Sequence, residues 1–284
     1  MASQRGRRER RTPRGREEPR RSGSDLLARI LVSIPLAVLA IVLIDVGRLA
    51  FALFMIAVGA LCLVELYRLL HRWRPVGLVG IAATTGMVLA ARYGNLRDVV
   101  EVMVITVPVL FLVVVALGQG HATTAIASTL LGVYWIGLAV THGELLRQLP
   151  HGKGVVIDVL LGTFIGDTGA YIGGRLFGRR PLAPRISPNK TWEGLVVGML
   201  AAIVAVFLAG TFQSWLTQGN ALLLGVVVAV FGPIGDLFES VIKRDAGTKD
   251  AGTLFGPHGG ILDRGDAALF TIVAGYYVWL AAVH

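Results

Sequence analysis

Between Asp236 and Asp266 the chain reads DLFESVIKRDAGTKDAGTLFGPHGGILDRGD. It gathers Asp236, Glu239, Lys243, Arg244, Asp245, Lys249, Asp250, His258, Asp263, Arg264 and Asp266 in a protein that is otherwise strongly apolar. Asp236, Ser240 and Lys243 are spaced i, i+4, i+7, so a helix that continues through them carries all three on one face. Asp263 and Asp266 follow at i, i+3 and, with Asp236, offer hard oxygen ligands that suit Mg²⁺, which takes one or two carboxylates and completes its shell with substrate phosphates. Lys243, Arg244, Lys249 and Arg264 would then offset the remaining charge of a polyphosphate. Carboxylates, cations and glycines in this mixture describe phosphoryl or nucleotidyl transfer better than a proton relay.

Two further stretches carry chemistry. GDTGAY puts Asp167 well inside an apolar helix, among small residues that allow a ligand or another backbone to come close. The segment from Gly178 to Gly194, GRRPLAPRISPNKTWEG, is basic and proline-rich and ends on a helix start. Thr191 can cap that helix, with Glu193 in its first turn. Ser187, Asn189, Lys190 and the free N–H groups there form an anion site of the kind a phosphate uses. Arg179 and Arg180 read as topological charges. No Walker A sequence, GxGxxG after a strand, HExxH or cysteine pair is present, so soluble nucleotide-binding folds are poor guides.

The elements that must position these residues are membrane helices. Apolar residues make up 54% of the chain and charged residues 16%, and the apolar ones fall in runs too long for a soluble core. The fold expected is all-α, a polytopic integral membrane protein with about nine transmembrane helices. The spans are roughly 26–44, 49–70, 76–91, 99–117, 122–141, 155–174, 194–212, 221–240 and 267–283, the third short for a span and the sixth and eighth carrying acids.

Three regions follow. Residues 1–25 form a basic tail with nine Arg, four acids and almost nothing apolar, expected to be disordered. Residues 26–141 are the N-terminal helices, starting with an uncleaved anchor, and residues 155–284 are the C-terminal catalytic region. The positive-inside rule places the tail, the His71–Arg74 loop and the segment Arg175–Lys190 on the cytoplasmic side, and the Asp236–Asp266 stretch with them. The +9 formal charge therefore points to topology and anionic lipid before nucleic acid. Asp45, Glu65, Arg68 and Glu101 read as interfacial charges at span ends. His121, His142 and His151 read as loop histidines without a role. Cys62, the single cysteine, excludes an intramolecular disulfide.

The run Ser240-x2-Lys243-Arg244-x4-Lys249-Asp250-x-Gly252-x2-Phe255-Gly256-x-His258-Gly259-Gly260-x-Leu262-Asp263-Arg264-x-Asp266 resembles the signature of phosphatidate cytidylyltransferases, the CDP-diacylglycerol synthases. Asp167-Thr-Gly-Ala-Tyr and the segment Ser187 to Gly194 are similar to that family too, which commonly has a second Lys where this chain has Asn189. The likeness covers roughly residues 155–283.

It implies a membrane enzyme of phospholipid biosynthesis that converts phosphatidate and CTP to CDP-diacylglycerol and pyrophosphate, with Mg²⁺ and a monovalent cation such as K⁺. Asp236 and Asp263 fall on the positions expected to hold metal, with Asp266 and Asp167 added. Lys243, Arg244, Lys249, Lys190 and Ser187 fall on phosphate contacts, and His258 on a phosphate or the nucleotide. The paired Gly259 and Gly260 let backbone N–H groups approach. Polar helix faces and short loops also permit a homodimer. A CDP-alcohol phosphotransferase would need a DGxxAR run, which is absent, and an ion-coupled transporter would need midplane acids in both halves, where the first half has none.

Overall fold

The computed structural model describes residues 38–118, 120–248, 251–252 and 260–283. The described chain is helical apart from one short hairpin. Helix α1 covers residues 38–46 and is followed by α2 (Arg48–Leu69), α3 (Gly77–Tyr93) and α4 (Leu96–Ala116). Next come α5 (Ala122–Gln148), α6 (Gly152–Phe177), α7 (Trp192–Thr211), α8 (Gln218–Asp245) and α9 (Leu262–Val283). Among the described residues seven helices, α2 and α4 to α9, are long and apolar enough to cross a membrane. Helix α3 is the short third span expected from the sequence, and the first expected span lies mostly outside the described residues. Hydrocarbon offers the backbone no hydrogen-bond partner, so chains of this composition satisfy their N–H and C=O groups within helices.

The ends of the helices follow from local chemistry. Asn95 and Asp98 form a reciprocal capping box that opens α4. Thr191 and Thr217 cap α7 and α8 through their hydroxyl oxygens, which accept the N–H groups of Gly194 at 3.1 Å and Asn220 at 3.2 Å. Helix α8 ends on Gly247, whose φ of 78° is open to glycine. There Thr248 donates to the Lys243 carbonyl and Gly247 to that of Arg244, the paired bonds of a Schellman stop. Within α5, residues Val133–Gly137 widen into a π turn, and it is there that Trp135 meets Phe238 of α8 edge to face at 4.8 Å.

Helices α6 to α9 pack into one group, α6 on α7, α7 on α8 and α8 on α9, while α9 also leans on α5 and α6. Small residues set the closeness of approach. A Cβ on Gly235 would stand 2.6 Å from the Asp266 carbonyl oxygen, so α8 and α9 touch backbone to backbone next to Asp236. Helices α2, α3 and α5 pack on one another, and their Leu63, Leu66, Met87 and Ile136 join a core that continues into this group through residues such as Val159 and Leu224. The segment between α6 and α7, expected as a loop, is instead an antiparallel hairpin of β1 (Pro181–Ala183) and β2 (Ser187–Thr191), with Ala183 opposite Ser187 and Pro181 opposite Thr191.

Candidate functional site

At one end of the bundle, three connections meet: the β hairpin between α6 and α7, the turn after α8, and the entry to α9. Helix α8 does continue through Lys243, as the spacing of its polar residues requires, and the half-buried Asp236 and Ser240 lie along it. Lys190, from β2, pairs with Asp236. Lys243 donates to Asp263 Oδ1 at 2.8 Å and pairs with Glu239 one turn back on its own helix. Two lysine–carboxylate pairs thus tie the hairpin to α8 and α8 to α9.

Asp263 is the most heavily bonded of these acids. Besides Lys243, it accepts the N–H of Gly260 at 2.8 Å on Oδ2 and that of Ala251 at 3.1 Å on each oxygen. The Gly260 N–H is therefore committed to Asp263. Asp266, three residues on, is buried, accepts the Ala267 N–H at 2.8 Å and lies within electrostatic reach of Glu239. Asp167 on α6 lies within electrostatic reach of Asp236, Lys190 and Asp266. It lines a narrow crevice between α6, α7 and α8, whose other walls are apolar or small: Gly166, Ala170, Gly198 and Pro233 among them.

Arg244 donates from Nε to the Ile186 carbonyl at 3.0 Å and so braces the hairpin against α8. Glu193 holds the other end of the hairpin, accepting the N–H groups of Arg179 at 3.0 Å and Arg180 at 3.2 Å. Thr191 is used as the α7 cap. Ser187, half-buried, and Asn189, exposed, lie on β2 with Lys190. Arg264 sits in the first turn of α9, its N–H donated to the Ile261 carbonyl. Lys249, Asp250, His258 and Gly259 lie outside the described residues. The structure thus brings together Asp167, Lys190, Asp236, Lys243, Asp263 and Asp266. Among the described residues no three acids, histidines or cysteines form a ready-made metal cage. The donors that converge are hard carboxylate oxygens, the type a divalent ion shares with substrate phosphates.

Two site residues were not singled out from the sequence. Glu239 is 1% exposed and has one buried oxygen, Oε1, without a hydrogen-bond partner among the described residues. Its position three residues after Asp236 and four before Lys243 is a helical signal that could have found it. Glu65 corrects its own reading as an interfacial charge at a span end. It is buried, not interfacial, and its Oε2 accepts the Leu262 N–H at 2.9 Å. No local pattern announces that contact, because its partner lies 197 residues away. His142 is a second correction: it sits inside α5, bonded to the Leu138 carbonyl at 2.7 Å and to the Tyr277 hydroxyl at 3.1 Å. Asp45 is exposed and paired with Lys153, whose ammonium holds its carboxyl below the usual range.

Paired lysines and carboxylates thus gather at one end of a helical bundle with seven helices long and apolar enough to cross a membrane among the described residues. Residues 27–281 match the Cytidylyltransferase family, and the chain belongs to it. It is similar to the phosphatidate cytidylyltransferase of Bacillus subtilis, 30% identical over 262 residues that cover 89% of this chain and 97% of that one. The phosphatidate cytidylyltransferase of Mycobacterium bovis is 36% identical over 159 residues, 56% of this chain and 52% of the relative, so the likeness spans about half the length of that protein. The chloroplastic phosphatidate cytidylyltransferase 4 of Arabidopsis thaliana is 34% identical over 215 residues, 66% of this chain and 54% of the relative.

Proposed function

We propose that this protein is a phosphatidate cytidylyltransferase that transfers CMP from CTP to phosphatidate, giving CDP-diacylglycerol and pyrophosphate for phospholipid biosynthesis. The observation that carries this reading is the convergence of Lys190–Asp236 and Lys243–Asp263 at one end of the bundle. CTP and phosphatidate are both strongly anionic, and their repulsion must be offset before attack geometry is reached. Lys190 and Lys243 are placed to exchange their carboxylate partners for substrate phosphates, which turns the oxygens of Asp236 and Asp263 toward the same space. Those two carboxylates, with Asp266 and Asp167 behind them, would hold Mg²⁺. When bound, it supplies charge neutralisation of the triphosphate and of the leaving pyrophosphate. K⁺ is the monovalent ion we assign beside it.

The phosphatidate oxygen attacks the α-phosphorus of CTP as the bond to the bridging oxygen of the β-phosphate breaks, and pyrophosphate leaves in line. No covalent enzyme intermediate is needed. The apolar outer faces of α6 to α8, with Phe164, Ile165, Val196, Leu200 and Phe231 exposed, offer surface to the acyl chains while the headgroup meets CTP at the polar end. Ser187, Asn189, Ser240 and Arg264 border that end, and Lys249, Asp250, His258 and Gly259 are assigned to phosphate or nucleotide by their place in the signature. The same reading puts the protein in the cell membrane with its N-terminus and site cytoplasmic, where the arginine-rich loops belong. It also admits a homodimer.

The test is purified protein in detergent or nanodiscs with radiolabelled CTP, phosphatidate and Mg²⁺, scanned against other nucleotides and lipid phosphates. A labelled CDP-lipid formed only with CTP and phosphatidate is the expected result. Preference for another nucleotide or for a polyprenyl phosphate would overturn the substrate assignment.

A further inference from the structure

Glu65 stands near the end of α2, in the half of the chain that carries none of the signature, and it is 3% exposed. Its Oε2 accepts the N–H of Leu262, one of the first N–H groups of α9 that have no partner within the helix. The residue after Leu262 is Asp263. Both backbone segments that donate to Asp263 also rest on Glu65. A Cβ on Gly252, next to Ala251, would come within 2.7 Å of the Glu65 carboxyl carbon, and a Cβ on Gly260 would overlap the same group. The carboxylate therefore fills the space that these two glycines leave. It packs against Gly252, the neighbour of one Asp263 donor, Ala251, and against the other donor, Gly260, itself. Its second oxygen, Oε1, is buried without a hydrogen-bond partner among the described residues.

A core position at the meeting of α2 and α9 has no packing need for a charge, and burying one is costly unless it is used. Here it is used on the backbone that aims Asp263. We propose that Glu65 is a positioning residue for Asp263: it fixes the Ala251–Gly252 and Gly260–Leu262 segments so that the Asp263 carboxylate faces Lys243 and the incoming nucleotide. This rests on the reading of Asp263 as a residue that meets the nucleotide. Small displacements of such a group lower the rate of the chemical step more than they weaken substrate binding.

The experiment compares Glu65→Ala, Glu65→Asp, Glu65→Gln and Asp263→Ala in detergent-purified full-length protein. It follows kcat, KM for both substrates, and hydrogen exchange of the peptide containing Leu262 and Asp263 without substrate or metal. Glu65→Ala should lower kcat about tenfold or more and accelerate that exchange by about the same factor, as leaving the buried Leu262 N–H without its acceptor implies. KM for CTP and phosphatidate should change much less. Glu65→Gln keeps an acceptor oxygen and should restore both kcat and protection. Glu65→Asp keeps the charge but withdraws it by one methylene, and should behave like the alanine variant; it decides the matter if Glu65→Ala does not fold.

Wild-type kcat and exchange in folded Glu65→Ala or Glu65→Asp overturn the proposal. So does a loss of activity that only tracks the loss of folded protein. An active Asp263→Ala would instead overturn the reading of Asp263, so the two failures are told apart.

Discussion

Lys243 near the end of α8 and Asp263 in the first turn of α9 are joined at 2.8 Å, twenty residues apart in sequence. Both side chains are only about 15% exposed, 14% and 15%, and the lysine is shared with Glu239. A cation held between two carboxylates is oriented before any ligand arrives, which lowers the reorganisation needed when a phosphate replaces one of them. Asp263→Asn keeps the size of the side chain and removes its charge. It should reduce CMP transfer by about a hundredfold or more, as loss of one preorganised electrostatic group does. Lys243→Met should do the same, and the double variant should lose little beyond either single one, since the two act as a unit. Initial rates with radiolabelled CTP check all three.

The second pair makes a different prediction. Lys190 lies on a hairpin strand and Asp236 on α8, and their side chains are 25% and 34% exposed, so solvent and salt screen them more than the first pair. Lys190→Ala should raise KM for CTP by about tenfold, the scale of one charge-assisted contact, with a smaller change in kcat. Lys190→Arg should recover part of that loss. The dependence of KM on ionic strength should flatten in Lys190→Ala, because one of the charges that attract the nucleotide has gone. A steady-state series at several salt concentrations measures it.

The helices were legible because hydrocarbon leaves the chain one way to satisfy its backbone, and long apolar runs therefore mark spans directly. Even Asp236, Ser240 and Lys243 could be placed on one helix from their spacing alone. The hairpin was not legible: its strands are three and five residues long and contain prolines, so neither alternation nor composition marks them. Glu65 was hidden for another reason. A charge near the end of a span has the same local surroundings whether it reaches the interface or turns inward, and only the fold of α9 onto α2 decides. Glu239 stood between two recognised residues and was legible in hindsight, since its i, i+4 partner is Lys243.

Gly235 tests how closely the two site helices must meet. A Cβ there would lie 2.6 Å from the Asp266 carbonyl oxygen and 3.1 Å from the Ala267 Cα, both backbone atoms that cannot rotate away. Gly235→Ala should destabilise the protein by about 1–3 kcal/mol, the usual cost of overpacking. It should also separate Asp236 from Asp266, so that activity falls more than the folded fraction does. Gly219→Ala is the control: it lies in the first turn of α8, where an added Cβ meets nothing within 4 Å. Thermal unfolding in detergent, followed with activity on the same samples, distinguishes the two.

Arg244 separates positioning from charge. Sequence reasoning placed it among the phosphate contacts, and the structure gives its Nε to the Ile186 carbonyl at 3.0 Å, across to the hairpin that carries Lys190. Arg244→Lys preserves the charge but not the planar Nε–H that reaches this carbonyl. If the brace is what matters, Arg244→Lys should resemble Lys190→Ala, raising KM for CTP by about tenfold while the folded fraction stays unchanged. If charge alone matters, Arg244→Lys should be close to wild type and Arg244→Gln strongly impaired. A double variant with Lys190→Ala completes the argument. A brace acting through the hairpin predicts that Arg244→Lys adds little once Lys190 is gone, whereas an independent phosphate contact predicts that the two effects multiply.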